Sequence, residues 1–428
     1  MNKKRIVITG VGPILPAGIG KNALLNGIIE KRTGLQCVRC CLDKKKWIEF
    51  YLHKVENFDL KSFNINPADL NYIFTWKGQK ENSDLNFILA AIKLALDDSR
   101  INYENATGSI GLVISHENPT LEQLLEEVFN ESYKLNRGKL KLTKKGFFNK
   151  LFLKTVKTAY ETQSFMLLFH SARIFKIHRY SLCINNACAS GLYALEAASD
   201  MIKLGKVSKV IVAGGDCPGV FKHLWFKTIG MYEEDGRTKP FSKKAKGFVM
   251  GEGATALILE DFESAKKRGA HIYAEYLGGG FRLEGWKVTL PAITENYLID
   301  SINDSFRESH LRRDDIDLIC THGAGTITSD YYEARAIERV FGKSSKIPVT
   351  ALKPYVGHNL GGCTLIELAI LLISMQNNYI PPILNLDESD NKYNLNLVMR
   401  EEKTKFDTIL KICCAFAGYN AAAVFKRI

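Results

Sequence analysis

Nowhere in this sequence is there an uninterrupted apolar run of about 18 residues, the length needed to span a bilayer as a helix. The first residues carry Lys3, Lys4 and Arg5, and only Ile6 to Thr9 follow before Gly10, too little for a signal-peptide core. A cytoplasmic protein without membrane contact is expected. Low-complexity linkers are also missing, so the 428 residues are expected to form one compact unit rather than a string of domains. The ten cysteines include a CxxCC at Cys37, Cys40 and Cys41, but no second pair with ligand spacing follows and no histidine lies close by in sequence. Zinc is therefore not expected, and free thiols suit a reducing compartment. Gly10, Gly12, Gly18 and Gly20 do not form GxGxxG, Pro13 and Pro16 interrupt them, and no acidic residue follows at the distance of a dinucleotide fingerprint.

Acidic residues are fewer than basic ones, 46 against 58, which leaves a formal charge of +12. Part of the excess lies between Lys134 and Lys157, through Arg137, Lys139, Lys141, Lys144, Lys145, Lys150 and Lys154. No aromatic stacking platform or nucleic-acid motif accompanies it, so a solvated face or an acidic protein partner is the expectation and nucleic acid is not.

Apolar residues make up 46% of the chain, enough for a substantial core. Strand and helix signals alternate: Arg5–Thr9, a helix through Leu85, Ile88, Leu89, Ile92 and Leu96, then strands at 110–114, 182–184 and 207–212. A second series begins after the charged 261–268 stretch, with a helix holding Leu298, Ile302 and Phe306 and strands at 316–320 and 348–353. That style predicts a layered α/β architecture.

The centre of the chain is Leu182-Cys-Ile-Asn-Asn-Ala-Cys188-Ala-Ser-Gly-Leu192, where a strand yields to a helix carrying Leu192, Leu195, Ala198 and Ile202. A cysteine at such a joint faces the helix's first N–H groups, which favour a thiolate. Small neighbours leave space for another molecule's carbonyl. His322, His358 and Phe416 lie likewise in or beside small-residue loops after strands, where ligands gather in α/β folds. Two of the nine histidines thus share one architectural position with a cysteine.

The chain resembles the elongating β-ketoacyl-acyl-carrier-protein synthases of the thiolase superfamily, nearly end to end. The resemblance rests on Ile8-Thr-Gly-Val-Gly, Ala187-Cys-Ala-Ser-Gly191, Gly247-Phe-Val-Met-Gly-Glu-Gly-Ala254, Ile316 to Thr326 around His322, Asp330 with Glu333, Lys353 with Gly357-His358, and Phe416-Ala-Gly-Tyr-Asn420. It implies a thiolase-like duplicated α-β-α-β-α layered fold, with residues 1–262 carrying the nucleophile and 263–428 the two histidines. It implies that Cys188 accepts the acyl group and that His322 and His358 hydrogen-bond the malonyl thioester carbonyl. Lys353 is expected to fix their geometry through Glu333 and Asp330. Phe416 would gate the acyl pocket and share an oxyanion hole with the Cys188 N–H, and Thr326 would touch pantetheine.

No metal or cofactor is implied beyond the phosphopantetheine of an acyl carrier protein, because loss of CO₂ itself supplies the carbanion. The carrier is expected to dock on Lys77 and Lys80, with the 134–157 cluster as a further candidate, on a homodimer or a heterodimer with a related subunit. The sequence departs from the pattern at Ala324, Ser115-His-Glu-Asn-Pro119, Asn185-Asn186, Ala415, Ala417 and Tyr419. Those departures surround the pocket and favour a specialised polyketide or unusual acyl chain over housekeeping fatty-acid elongation. Competing expectations are a malonyl-carrier decarboxylase or priming enzyme, a chain-length partner, a binding protein retaining the fold, and a coenzyme A thiolase using Cys413 or Cys414.

Overall fold

The computed structural model describes residues 4–43, 46–75, 82–104, 109–117, 144–157 and 160–428. Lys77 and Lys80 lie outside the described residues, as does the 134–143 part of the basic cluster. The elements that matter for the site are, in the first half, β1 (Ile6–Leu15), α1 (Ser83–Ser99), β2 (Ile110–Ser115), α2 (Lys144–Lys157), α3 (Ser164–Ile174), β3 (Ser181–Ile184), α4 (Ser190–Lys203), β4 (Lys209–Gly215), α5 (Val220–Thr228) and β5 (Ala254–Asp261). In the second they are β6 (Ala274–Leu283), α6 (Tyr297–Ser309), β7 (Leu318–Cys320), α7 (Ile327–Phe341), β8 (Pro348–Thr350), α8 (Cys363–Gln376), β9 (Asn396–Leu397), β10 (Thr408–Cys414) and β11 (Tyr419–Lys426).

The main sheet runs β9-β8-β7-β10-β11-β6-β1-β5-β4-β2-β3, with the short strand Gly18–Ile19 turned back on β1. Two five-strand runs within it repeat one another. Outward from the β1–β6 junction, the first half reads β1-β5-β4-β2-β3 and the second β6-β11-β10-β7-β8. In both, the first two pairings are antiparallel and the last two parallel. The junction is short, pairing Ile6, Val7 and Ile8 with Tyr276, Glu275 and Ala274.

Three apolar cores separate the layers. The largest packs α4 and α8 between strands of both halves, through Leu192, Leu195, Leu365, Ile366, Val212, Leu257, Ile409 and Phe425. A second lies under α1 and α3 on the outside of the first half. A third lies under α6 and α7, through Leu298, Ile302, Tyr332 and Ile337. The result is the expected α-β-α-β-α stack, with α4 and α8 forming the central layer. These two helices approach closely because Gly191 has no side chain: a Cβ there would lie 2.4 Å from Thr364 Oγ1.

Local differences from the sequence reading have simple causes. Helix α1 is capped by Asn82, whose side chain accepts from the Leu85 N–H. Lys353 opens a four-residue helix, Lys353–Val356, instead of closing a strand, because Pro354 fits a first helical turn and cannot donate to a ladder. Cys37, Cys40 and Cys41 lie on a strand of a hairpin, Leu35–Asp43 paired with Lys46–His53. Among the described residues no helix is long and apolar enough to cross a membrane.

Candidate active site

Cys188 sits in the turn between β3 and α4, 5% exposed. Ala187 before it holds a left-handed φ of 50°, a conformation that a non-glycine residue keeps only where its surroundings impose it. Ser190 locks this turn by accepting from the Asn186 N–H at 2.7 Å and donating to the Ala187 carbonyl. The expected thiolate-favouring N–H groups are otherwise engaged: those of Ala189, Ser190 and Leu192 donate to the carbonyls of Asn186, Ala187 and Ala189. Hydrogen bonding with Cys363, burial and the nearby Glu117 charge instead raise the Cys188 thiol well above its ordinary range. The sequence expectation of an ionised resting sulfur is thereby corrected.

The polar group on the sulfur is His358, whose Nε2 lies 3.2 Å from Cys188 Sγ. Its Nδ1 accepts from the Leu360 N–H at 3.0 Å, so Nε2 carries the proton and donates. The glycine-rich block at 247–254 explains how this loop is held. His358 N donates to Val249 O at 2.9 Å, and Gly251 N to His358 O at 3.2 Å. A Cβ on Gly251 would stand 1.8 Å from the Val356 carbonyl oxygen. Asn359, 1% exposed, ties the loop to Asp216, Gly251 and Gly253 through its side-chain amide.

His322 arrives from β7 and faces His358, with ring centroids 5.3 Å apart at 80°. Lys353 Nζ lies 3.1 Å from His322 Nδ1 and 2.5 Å from its carbonyl oxygen, which leaves the His322 Nε2–H free to donate. Burial first, then the Lys353 charge, hold both imidazoles well below the usual histidine range, so both are neutral.

Lys353 does not act through Glu333. Its carboxylate partner is Glu367 on α8, at 2.7 Å, and the other oxygen of Glu367 lies 2.8 Å from Lys411 Nζ. All three side chains are essentially unexposed. Glu333 is bound elsewhere, its carboxyl accepting the backbone N–H groups of His322 and Gly323, which aims the histidine loop. Asp330 does the same one turn earlier for Gly325 and Phe241. Burial pushes Glu333 up to about 7 and Asp330 up to about 8. The three donors of Lys353 are taken by His322 Nδ1, His322 O and Glu367 Oε1, which leaves none for Glu333 and is the physical reason for the correction.

The donor atoms of Cys188, His322 and His358 fall within 4.8 Å of one another. Such a set could in principle hold a soft metal. Here, however, both inward-facing nitrogens carry protons, and an ion would have to displace them together with the bonds fixing each Nδ1. The arrangement offers donors to an oxygen that gains negative charge.

A cleft reaches this group. Thr326, Ala324, Phe226, Phe248, Leu360 and Phe416 are among its walls. Thr326 Oγ1 is buried without a partner among the described residues, although the residue caps α7. Phe416 is half-buried against Trp225 and Phe226, next to Ala417 at φ 59°. Cys413 Sγ lies 3.4 Å from His322 Nδ1, and Cys414 lines the cleft.

Sequence reasoning missed Glu367, Lys411 and Asn359. The first two had a signal: each is the lone charge in an otherwise apolar element, Cys363–Gln376 and Thr408–Cys414, and such a charge must be paired.

The model of the N-terminal domain of β-ketoacyl synthase matches residues 3–265, and that of the C-terminal domain matches residues 273–387. A 3-oxoacyl-[acyl-carrier-protein] synthase 2 of Coxiella burnetii is 26% identical over 447 residues, covering both chains in full. The tetracenomycin polyketide synthase ketoacyl synthase alpha subunit of Streptomyces glaucescens is 29% identical over 254 residues, 57% of this chain and 59% of that one. Among solved structures, the ishigamide ketosynthase/chain length factor superposes with a TM-score of 0.83 at 23% identity over the full length of both chains. The ketosynthase ApeO in complex with its chain length factor ApeC, from Xenorhabdus doucetiae, gives 0.78 at 18% identity, covering 99% of this chain and 98% of that one.

Proposed function

Because the chain belongs to the β-ketoacyl synthase family of condensing acyltransferases, we propose that Cys188, His322 and His358 carry out a decarboxylative Claisen condensation on substrates borne by an acyl carrier protein. The observation that supports this most is the His358 Nε2–H on Cys188 Sγ at 3.2 Å with His322 facing it.

Cys188 attacks the acyl-carrier thioester, a new S–C bond forms, and the carrier thiol leaves with the proton. The His358 N–H stabilises the thiolate that this requires. The backbone N–H groups of Cys188 and Phe416 receive the oxyanion, about 3 kcal/mol each. Malonyl-carrier then enters past Phe416, with its pantetheine against Thr326. Its C–CO₂ bond breaks, CO₂ departs, and the electron pair becomes an enolate whose oxygen accepts from His322 and His358. The enolate carbon attacks the Cys188 thioester, and the sulfur leaves as thiolate to be reprotonated. Lys353 positions His322, Glu333 and Asp330 aim its loop, and no resident cofactor takes part.

The division of labour is between halves 1–262 and 263–428, and the repeated strand order supports that boundary. The substrates are assigned to a specialised type II polyketide or unusual fatty-acid pathway, with housekeeping elongation as the alternative. The enzyme is placed in the cytoplasm. It is read as a dimer with itself or a related subunit, since Phe148, Phe152, Leu153 and Val156 are exposed on α2 and β3 ends the sheet.

Intact-protein mass spectrometry tests the reaction. Acyl-carrier should add one acyl group to the wild type and none to Cys188→Ala, and malonyl-carrier should then release a 3-oxoacyl product. Carrier binding without an acyl-enzyme would overturn the proposal in favour of a binding role. Decarboxylation without acylation would favour the priming-enzyme reading.

A further inference from the structure

The cleft wall around Cys188 is largely apolar, with Phe226, Met231, Phe248 and Leu360, yet Glu117 enters it. Glu117 is the second residue past β2. Its N–H donates to Asp216 at 3.2 Å, and Gly361 gives it room: a Cβ on Gly361 would lie 3.1 Å from Glu117 Cβ. The side chain is 16% exposed. Oε1 meets Lys222 Nζ on α5 at 3.3 Å, whereas Oε2 is buried and receives no hydrogen bond from the described residues. An ion pair satisfied at one oxygen only calls for a reason, because a buried acceptor left unmade costs about 1–3 kcal/mol.

Glu117 has no hydrogen bond to Cys188, His322 or His358, so it stands outside the reacting group. It is nevertheless close enough for its charge to act on the sulfur. An acyl chain held on Cys188 must run along this same wall. Methylenes laid there would leave Oε2 without a partner, whereas a hydroxyl would supply the missing donor. Sites built to hydrogen-bond a substrate hydroxyl reject the analogue that lacks it.

We infer that Glu117, held by Lys222, is a specificity residue whose Oε2 accepts a hydrogen bond from a hydroxyl on the acyl chain, so that hydroxylated acyl groups are favoured over saturated ones. This rests on the reading of Cys188 as acyl acceptor.

The test loads the full-length enzyme from acyl carrier protein bearing octanoyl or its 3-, 5- or 7-hydroxy derivative, and follows acylation by mass spectrometry. At least one hydroxy isomer should exceed octanoyl by about 10-fold in kcat/KM, the yield of one hydrogen bond to a charged group. Glu117→Leu should abolish or invert that ratio, mainly by accelerating octanoyl. Glu117→Gln keeps an oxygen acceptor and should keep part of the preference, and it serves if the leucine variant does not fold. Equal rates for all four acyl groups, or a preference unchanged in both variants, would overturn the role of Glu117 alone. Acylation by none of the four would overturn the reading of Cys188 and this inference with it.

Discussion

Replacing Glu367 with glutamine should do more damage than removing either lysine it serves. In the wild type two ammonium groups share one carboxylate, at 2.7 and 2.8 Å, in a site with no solvent access. Taking away the carboxylate leaves both cations uncompensated, and breaking a buried pair costs about 3–5 kcal/mol. Unfolding entropy near 2.1 cal/mol/K per residue gives about 0.9 kcal/mol/K for a chain of this length, so Glu367→Gln should lower Tm by roughly 3–6 °C. Lys411→Met leaves Lys353 and Glu367 as a matched pair but strips the donor from the Thr321 and Ile412 carbonyls, and should lower Tm by about 1–3 °C, less than Glu367→Gln. Lys353→Met likewise leaves Lys411 with Glu367, but it strips the donor from His322 Nδ1 and frees the ring's tautomer. Loss of such a supporting contact costs roughly 10–100-fold. Thermal unfolding by circular dichroism together with malonyl-carrier decarboxylation separates the three outcomes. If Glu367→Gln is no less stable than Lys411→Met, the shared-carboxylate argument is wrong.

Iodoacetamide should alkylate Cys188 at a rate still climbing above pH 9, because the thiol is held up; Cys363→Ala removes the largest cause and should shift the curve to lower pH. A rate that levels off below pH 8 would contradict this. Decarboxylation should show no histidine inflection between pH 6 and 8, since both imidazoles are already neutral there; a step near 6.5 that vanishes in His322→Asn would count against it. Glu333 and Asp330 titrate higher in the folded chain than in the unfolded one, so the folded state binds more protons and their contribution, complete below about pH 4, is lost as pH rises through about 7–8. The urea midpoint should accordingly fall from pH 7 to pH 9, and a rise would refute the sign. Thr326→Val should raise KM for carrier substrate about 3–10-fold with kcat little changed, as expected for one neutral hydrogen bond, and an unchanged KM would remove Thr326 from the pantetheine path.

The layered fold was legible because its elements obey local rules. The buried residues of α4 are those that its helical spacing selects, and both halves announce themselves through strand, helix and small-residue loop. His322, His358 and Cys188 could be grouped because each follows a strand. The partner of Lys353 could not be read by proximity in sequence: Glu333 looked apt, but its oxygens are spent on backbone N–H groups, and the true partner sits on a helix that periodicity marks only as core. The state of the sulfur was misjudged for a related reason. A helix start promises free donors, yet a tight turn consumes them with its own carbonyls.

The repeat in the sheet has a consequence for how activity is lost. Cys188 follows β3 and His358 follows β8, equivalent strands in the two halves of the sheet, and only three residue pairs join β1 to β6. The distance that matters is therefore set across the seam where α4 meets α8. A small slip along that seam would part sulfur from imidazole while every strand and helix stayed intact. Mild denaturant should silence turnover well before it melts the backbone, and substitutions at Gly191, where α4 meets α8, should mimic it.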